Sequence, residues 1–230
     1  FFRTTLHMEG AYCAVYLDPR PETAGRLLES LEPVDLPGTM RFIARSVRGE
    51  LELTRGNART AALIQRVSLR YAGNWRSILG SGSQWELYIL SMCLVTDVEL
   101  SPDDAVELDA RAVRARATSL LREILSDPAP LQRDIPTLMA FAAAVGLSAV
   151  AAEDAGSDRR AVGGELVATA LAVGTNQTCR LLSHDYLHSR TERFDARALA
   201  QAEERIRSLD RGGLVAHAAD LAGRLAGEVG

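Results

Sequence analysis

Apolar residues spaced three and four apart recur along most of this chain, and that spacing predicts α-helices. The clearest case follows Ser101 and Pro102, which suit the N-cap and the first turn of a helix. Its apolar stripe is predicted to face a core and consists of Val106, Ala110, Val113, Ala117, Leu121 and Ile124. Because Asp127 and Pro128 follow this stripe, we predict that one unbroken helix ends just before them.

Three further segments are predicted to be central helices: residues 84–95, 135–152 and 161–188. The first two are apolar on most sides, and the third contains the almost wholly apolar run GGELVATALAV. The fold class predicted is therefore all-α, a compact bundle of roughly eight helices that forms a single domain over residues 21–230. Residues 1–20 are expected to be an N-terminal extension, whose first seven residues are foreign to the natural chain if Met8 is its start. Within it, residues 11–17 (AYCAVYL) are compatible with either a strand or a helix.

The charges of the chain exclude several kinds of chemistry and partner. All 26 basic residues are arginine, so a lysine Schiff base and a P-loop lysine are both impossible. The formal net charge of −4 favours neither nucleic acid nor an anionic membrane surface as a partner. No apolar stretch reaches the ~20 residues that span a bilayer. Three scattered cysteines without CxxC spacing suit a reducing compartment, and we expect a cytoplasmic location.

The stretch GTNQTCRLLSHDYLHSR (174–190) follows an almost wholly apolar run, although it is rich in polar side chains. On a continuous helix one stripe would join Leu166, Ala170, Val173, Gln177, Leu181, His184 and His188. Two interpretations follow from this stripe. Either the polar groups line a buried pocket, or the helix leaves the core and the histidines lie in solvent.

If this stretch lines a pocket, its side chains supply acid–base chemistry. An imidazole can donate or accept a proton near neutral pH, so His184 is the predicted acid or base and His188 lies on the same face. Asp185 or Tyr186 is the predicted partner of His184. Gln177 and Arg180 are predicted to position the substrate.

A second segment, residues 73–88, is predicted to contribute to substrate binding. Aromatic side chains beside an arginine can hold a flat or anionic molecule, and glycines between them allow close approach. The predicted binding residues of this segment are Trp75, Arg76, Trp85, Glu86 and Tyr88. The alternative is a connection between two core helices, with both tryptophans acting as packing anchors.

The spacing of His184 and His188 resembles the late HxxxH pair of the DinB-like helical metalloproteins. That family takes a third histidine from an earlier helix. The one histidine that precedes this pair here is His7, which belongs to the foreign segment if Met8 is the natural start, so the resemblance breaks at the third ligand. The His184-Asp185 dipeptide resembles the metal-binding core of HD-domain phosphohydrolases, but the separate upstream histidine of that family is missing. We therefore predict neither a metal nor another cofactor.

These observations favour a metal-independent cytoplasmic enzyme that acts on a small, largely apolar metabolite. A lyase, dehydratase or cyclase step in bacterial specialised metabolism is the expected reaction, because His, Asp and Tyr are the available reactive groups. The alternative is a non-catalytic helical module that binds a ligand as a regulator or serves oligomerisation. A homodimer is the expected assembly for either function.

Overall fold

A computed structural model describes residues 2–16, 20–36, 38–79, 84–126, 134–152, 155–175 and 180–227. Within these ranges the regular structure is helical and contains no strand, which confirms the predicted all-α class. The described residues form twelve α-helices, together with two short 3-10 turns, and thus more helices than the eight or so predicted. Two compact units emerge from the contacts, Phe1–Leu79 and Gly80–Gly230, and each is described by itself. The single domain over residues 21–230 stays a prediction.

The unit Phe1–Leu79 contains four helices. They are α1 (Phe2–Tyr16), α2 (Pro21–Glu29), α3 (Gly38–Thr54) and α4 (Ala58–Leu79). A buried apolar cluster joins α1 to α2 and α3, and Ala11, Val15, Leu28 and Leu51 are among its members. Residues 11–16 are therefore helical rather than extended, because one face of α1 is buried in this core.

The unit Gly80–Gly230 contains the remaining eight helices. They are α5 (Gln84–Asp97), α6 (Pro102–Glu107), α7 (Ala110–Ser126), α8 (Ile135–Ala151), α9 (Ser157–Val173), α10 (His184–Ser189), α11 (Ala196–Ile206) and α12 (Arg211–Gly227). Helix α8 packs on α5, α7 and α9, and its residues 137–150 are all buried. The predicted central position of residues 84–95 and 135–152 is confirmed by the burial of α5 and α8.

Helices α8 and α9 approach each other closely at two glycines. A Cβ atom built on Gly146 would lie 2.5 Å from the carbonyl oxygen of Gly163, and one built on Gly163 would lie 2.8 Å from that of Gly146. Real Cβ atoms essentially never come this close to another heavy atom. The glycines therefore allow the two helix backbones to touch, and larger side chains surround the contact.

The single helix predicted from residue 102 to about residue 126 is wrong. Helix α6 ends at Glu107, and Asp109 adopts a left-handed conformation with φ of 51° before α7 begins. Aspartate tolerates this conformation, and its Oδ1 accepts a hydrogen bond of 3.2 Å from the backbone N–H of Ala112, which caps α7. As a result Val106, predicted to lie in the core, is 82% exposed. Ser101 does cap α6, as predicted.

The continuous helix predicted over residues 161–188 is also wrong. Helix α9 ends at Val173, because Gly174 has a φ of 107° that glycine adopts readily. His184 begins a separate helix, α10, whose N-terminus is capped by the Ser183 hydroxyl accepting from Tyr186 N–H. The stripe that joined Leu166 to His188 therefore does not exist as one face of one helix. Gln177, a member of that stripe, lies outside the described residues.

Across the described part of the chain, no helix combines the length and apolar character needed to cross a membrane.

Candidate functional site

A cleft of about 430 Å³ lies where α9, α10, α11 and α12 meet. Its apolar wall includes Ala168 and Leu171 from α9, Leu199 and Ile206 from α11, and Leu214 from α12. Ala168, Ile206 and Leu214 also belong to a buried apolar cluster that joins α9 to α11 and α12, and Leu199 packs against it. A mainly apolar concave surface of this size is typical of small-molecule sites.

Five polar side chains open onto the same cleft. They are His184, His188, Thr191, Glu203 and Arg207. The i,i+4 spacing of the two histidines predicts a shared face, and α10 confirms it: the imidazole rings stack with centroids 6.0 Å apart and planes inclined by 21°. His184 is half-buried, whereas His188 is exposed.

Neither imidazole is hydrogen-bonded to a carboxylate within the described residues. The same residues contain no group of three histidine, cysteine or acidic side chains that could hold a metal ion. Asp185 is exposed beside His184 on α10. The Tyr186 hydroxyl accepts a hydrogen bond of 3.2 Å from Arg190, whose guanidinium also lies 4.7 Å from the centre of the tyrosine ring. Tyr186 is thus engaged with Arg190 in this structure.

The predicted binding residues of the 73–88 segment do not line this cleft where their side chains are described. The Glu86 carboxylate is buried and accepts a hydrogen bond of 2.8 Å from Arg116 of α7. Tyr88 is half-buried on the same helix as Glu86. Several other predicted side chains lie outside the described part of the structure: Trp75, Arg76, Trp85, Gln177 and Arg180.

A charged cluster that was not predicted ties together three of the four helices around the cleft. Arg205 of α11 donates two hydrogen bonds to Glu165 of α9, from Nε to Oε1 at 2.9 Å and from Nη2 to Oε2 at 2.7 Å. His217 Nε2 of α12 lies 2.9 Å from the same Oε1. Charge-assisted, two-pronged pairs of this kind are among the stronger polar contacts in proteins.

The charged partners change the acidity of Glu165. The hydrogen bonds from Arg205 hold the pKa of Glu165 below its ordinary value, although burial acts in the opposite direction, and His217 lowers it further. Glu165 is 8% exposed, so its charge depends on these partners rather than on water. The cluster therefore fixes α11 and α12 against α9, one turn away from the cleft.

One sequence signal could have identified part of this cluster. Glu165 is the single charged residue in the run AVGGELVATALAV, and a carboxylate in a buried helix requires a partner. Its partners lie 40 and 52 residues further along the chain, on α11 and α12. No local pattern pairs residues at such separations.

A larger cleft, of about 540 Å³, lies among α5, α6, α7 and α8. Its polar side chains include Arg111, Arg114 and Asp97, and none of the site residues predicted from the sequence lines it. Among the described residues, the cleft beside α10 combines a mainly apolar wall with the predicted histidines.

No protein-family model, curated protein or solved structure matches this chain. The fold and the site define it as an all-α protein with a cleft that two histidines help to line.

Proposed function

We propose that the cleft beside α10 binds a small, largely apolar molecule and that His184 acts on it as a general acid or base. The observation that carries this proposal is the position of two stacked imidazoles in a mainly apolar cleft of about 430 Å³. Imidazole is suited to proton transfer near neutral pH, and it is most effective when the bound molecule lies against it.

The remaining polar side chains of the cleft are assigned to orientation. Glu203 and Arg207 lie one turn apart on α11, where they can contact a polar group at one end of an apolar molecule. Half-buried His184 transfers the proton, and exposed His188 stacks against it and limits its rotation. In a dehydratase step, for example, a C–H bond and a C–O bond break: an imidazole can take the proton from carbon and donate it to the departing hydroxyl group, which leaves as water.

The second candidate is ligand binding without chemistry, in a regulator or oligomerisation module. It is favoured by the lack of a carboxylate hydrogen bond to His184 among the described residues, because such a bond commonly orients a catalytic imidazole. Both candidates share the same cleft and the same apolar ligand class.

A cytoplasmic location and a homodimer remain part of the proposal, and the free thiols of Cys13 and Cys93 suit a reducing compartment.

Methyl hexyl ketone in D₂O separates the two candidates, because it supplies an apolar body and exchangeable protons beside a carbonyl group. We expect the protein to bind this ketone and accelerate deuterium exchange at those positions. His184→Ala should lower the exchange rate at least about 100-fold while leaving binding intact, since general acid–base catalysis contributes about that much. Mass spectrometry measures exchange, and ligand-observed NMR measures binding.

Two matched variants control this experiment. Ala172→Trp fills the cleft from an exposed position on α9 and should abolish both binding and exchange. His188→Ala removes the neighbouring imidazole and should reduce exchange less than His184→Ala does. Binding without His184-dependent exchange would favour the non-catalytic candidate, and no binding at all would contradict both.

A further inference from the structure

The two compact units carry charges of opposite sign. Phe1–Leu79 contains eleven arginines and eight acidic residues, a formal net charge of +3. Gly80–Gly230 contains fifteen arginines and twenty-two acidic residues, a formal net charge of −7. The whole chain thus has a net charge of −4 although one of its two units is basic. The net charge of −4 disfavours an anionic ligand for the chain as a whole, but the net charge of +3 on Phe1–Leu79 favours one there.

Three of the eleven arginines of this unit lie on one face of α3. Arg41, Arg45 and Arg48 are spaced four and three residues apart, so their side chains are neighbours along the helix. All three line a cleft of about 630 Å³ between α3 and the segment that follows α2. Leu31 and Leu36 form part of its apolar floor, and both belong to a buried cluster with Met8.

Acidic side chains in this cleft are held weakly. Asp35 pairs with Arg41 at 2.8 Å while remaining 97% exposed, and Glu32 pairs with Arg48 at 3.5 Å while remaining 65% exposed. Such exposed pairs contribute little to stability, because water solvates both partners well. Arg48 Nε also lies 3.8 Å from Oε1 of the largely buried Glu52. A ligand with two negative charges can therefore displace the two exposed carboxylates, Asp35 and Glu32, while Arg48 keeps its contact with Glu52.

We propose that this cleft binds a phosphate monoester of a small apolar alcohol. The planar guanidinium groups of neighbouring arginines match the oxygen atoms of a phosphate, which accepts several hydrogen bonds at once. The leucine floor and the half-exposed Val34 then contact the apolar part of the ester. This site lies in Phe1–Leu79 and is independent of the function proposed for the histidine cleft.

Isothermal titration calorimetry of the full chain with phenyl phosphate tests the proposal, at low ionic strength so that screening is limited. We expect one saturable site. Arg45→Ala should weaken binding at least about tenfold, and Arg45→Lys should weaken it less, because it keeps the charge but not the two-pronged geometry. Inorganic phosphate, which lacks the apolar body, should bind more weakly than phenyl phosphate, and benzyl alcohol should show no saturable binding.

Two further variants make the test decisive. Arg26→Ala removes an exposed arginine of α2 that is bonded to Thr23 and does not line the cleft, so binding should be unchanged. Asp35→Asn removes a competing carboxylate and should tighten binding, and this exposed substitution carries the test if Arg45→Ala does not fold. Absence of saturable binding, equal loss in Arg26→Ala and Arg45→Ala, or no tightening in Asp35→Asn would overturn the proposal.

Discussion

Gly146→Ala should lower the free energy of unfolding by about 2 kcal/mol. The added methyl group would meet the Gly163 carbonyl oxygen at 2.5 Å and Val167 Cγ2 at 2.8 Å, so α8 and α9 must separate. Overpacking a closely packed core costs about 3 kcal/mol at the upper end of its usual range. Alanine recovers about 1 kcal/mol because it favours a helix more than glycine does. The steric effect is larger, and urea denaturation followed by circular dichroism measures the difference.

Gly223→Ala is the matched control for this substitution. Gly223 also lies within a helix, α12, but a Cβ atom built there has no other heavy atom within 4 Å. The same chemical change should therefore raise the free energy of unfolding by about 0.5–1 kcal/mol. If both alanine variants stabilise the protein, the close approach of α8 and α9 is contradicted.

Glu165→Gln should lower the free energy of unfolding by about 2 kcal/mol near pH 7. The substitution keeps the shape of the side chain but removes the charge that accepts hydrogen bonds from Arg205 and lies beside His217. Part of the loss is offset because Arg205 is half exposed and water can solvate it. Glu204→Gln, on the same helix as Arg205 (α11), is the control. Its carboxylate is exposed and pairs with Arg207, so we expect a change below about 0.5 kcal/mol.

The effect of Glu165→Gln should depend on pH in a defined direction. The pKa of Glu165 in the folded protein is lower than its ordinary value of 4.5, which applies to the unfolded chain. The charged group therefore stabilises the fold fully above pH 4.5, and this contribution is lost as the pH falls through the lower, folded-state pKa. Denaturation curves of both proteins should converge in acid. A difference that is constant from neutral to acidic pH would contradict the ion cluster.

The sequence predicts the helical class well because apolar spacing reports which side of each segment is buried. The same spacing does not reveal a break in a helix when the apolar residues on either side of the break keep the helical spacing. Val106 and Ala110 are four residues apart, so the stripe continues across Asp109 although the helix does not. Gly174 gave a usable signal, since a glycine after an apolar helix often marks its end. That signal was outweighed by the periodicity that resumed at Leu181.

The sequence predicts those parts of the candidate site whose residues lie close together in the chain. The spacing of His184 and His188 is sufficient to place both rings on one face, whatever the course of the chain before them. Glu203 and Arg207 enter the same cleft from α11, and their positions depend on how α11 packs on α9. Packing between distant segments is decided by many side chains together, and one sequence does not reveal it.

Helix α11 rests mainly on α9, and it carries Leu199, Glu203 and Ile206 of the histidine cleft. The contacts that keep this helix in place are therefore also the contacts that close the cleft. Local release of α11 would expose its amide groups to exchange with solvent and would open the cleft in the same step. A ligand that binds the closed form should slow hydrogen exchange throughout α11, in proportion to its occupancy. Amide exchange in this one helix thus reports on the cleft even before its natural ligand is known.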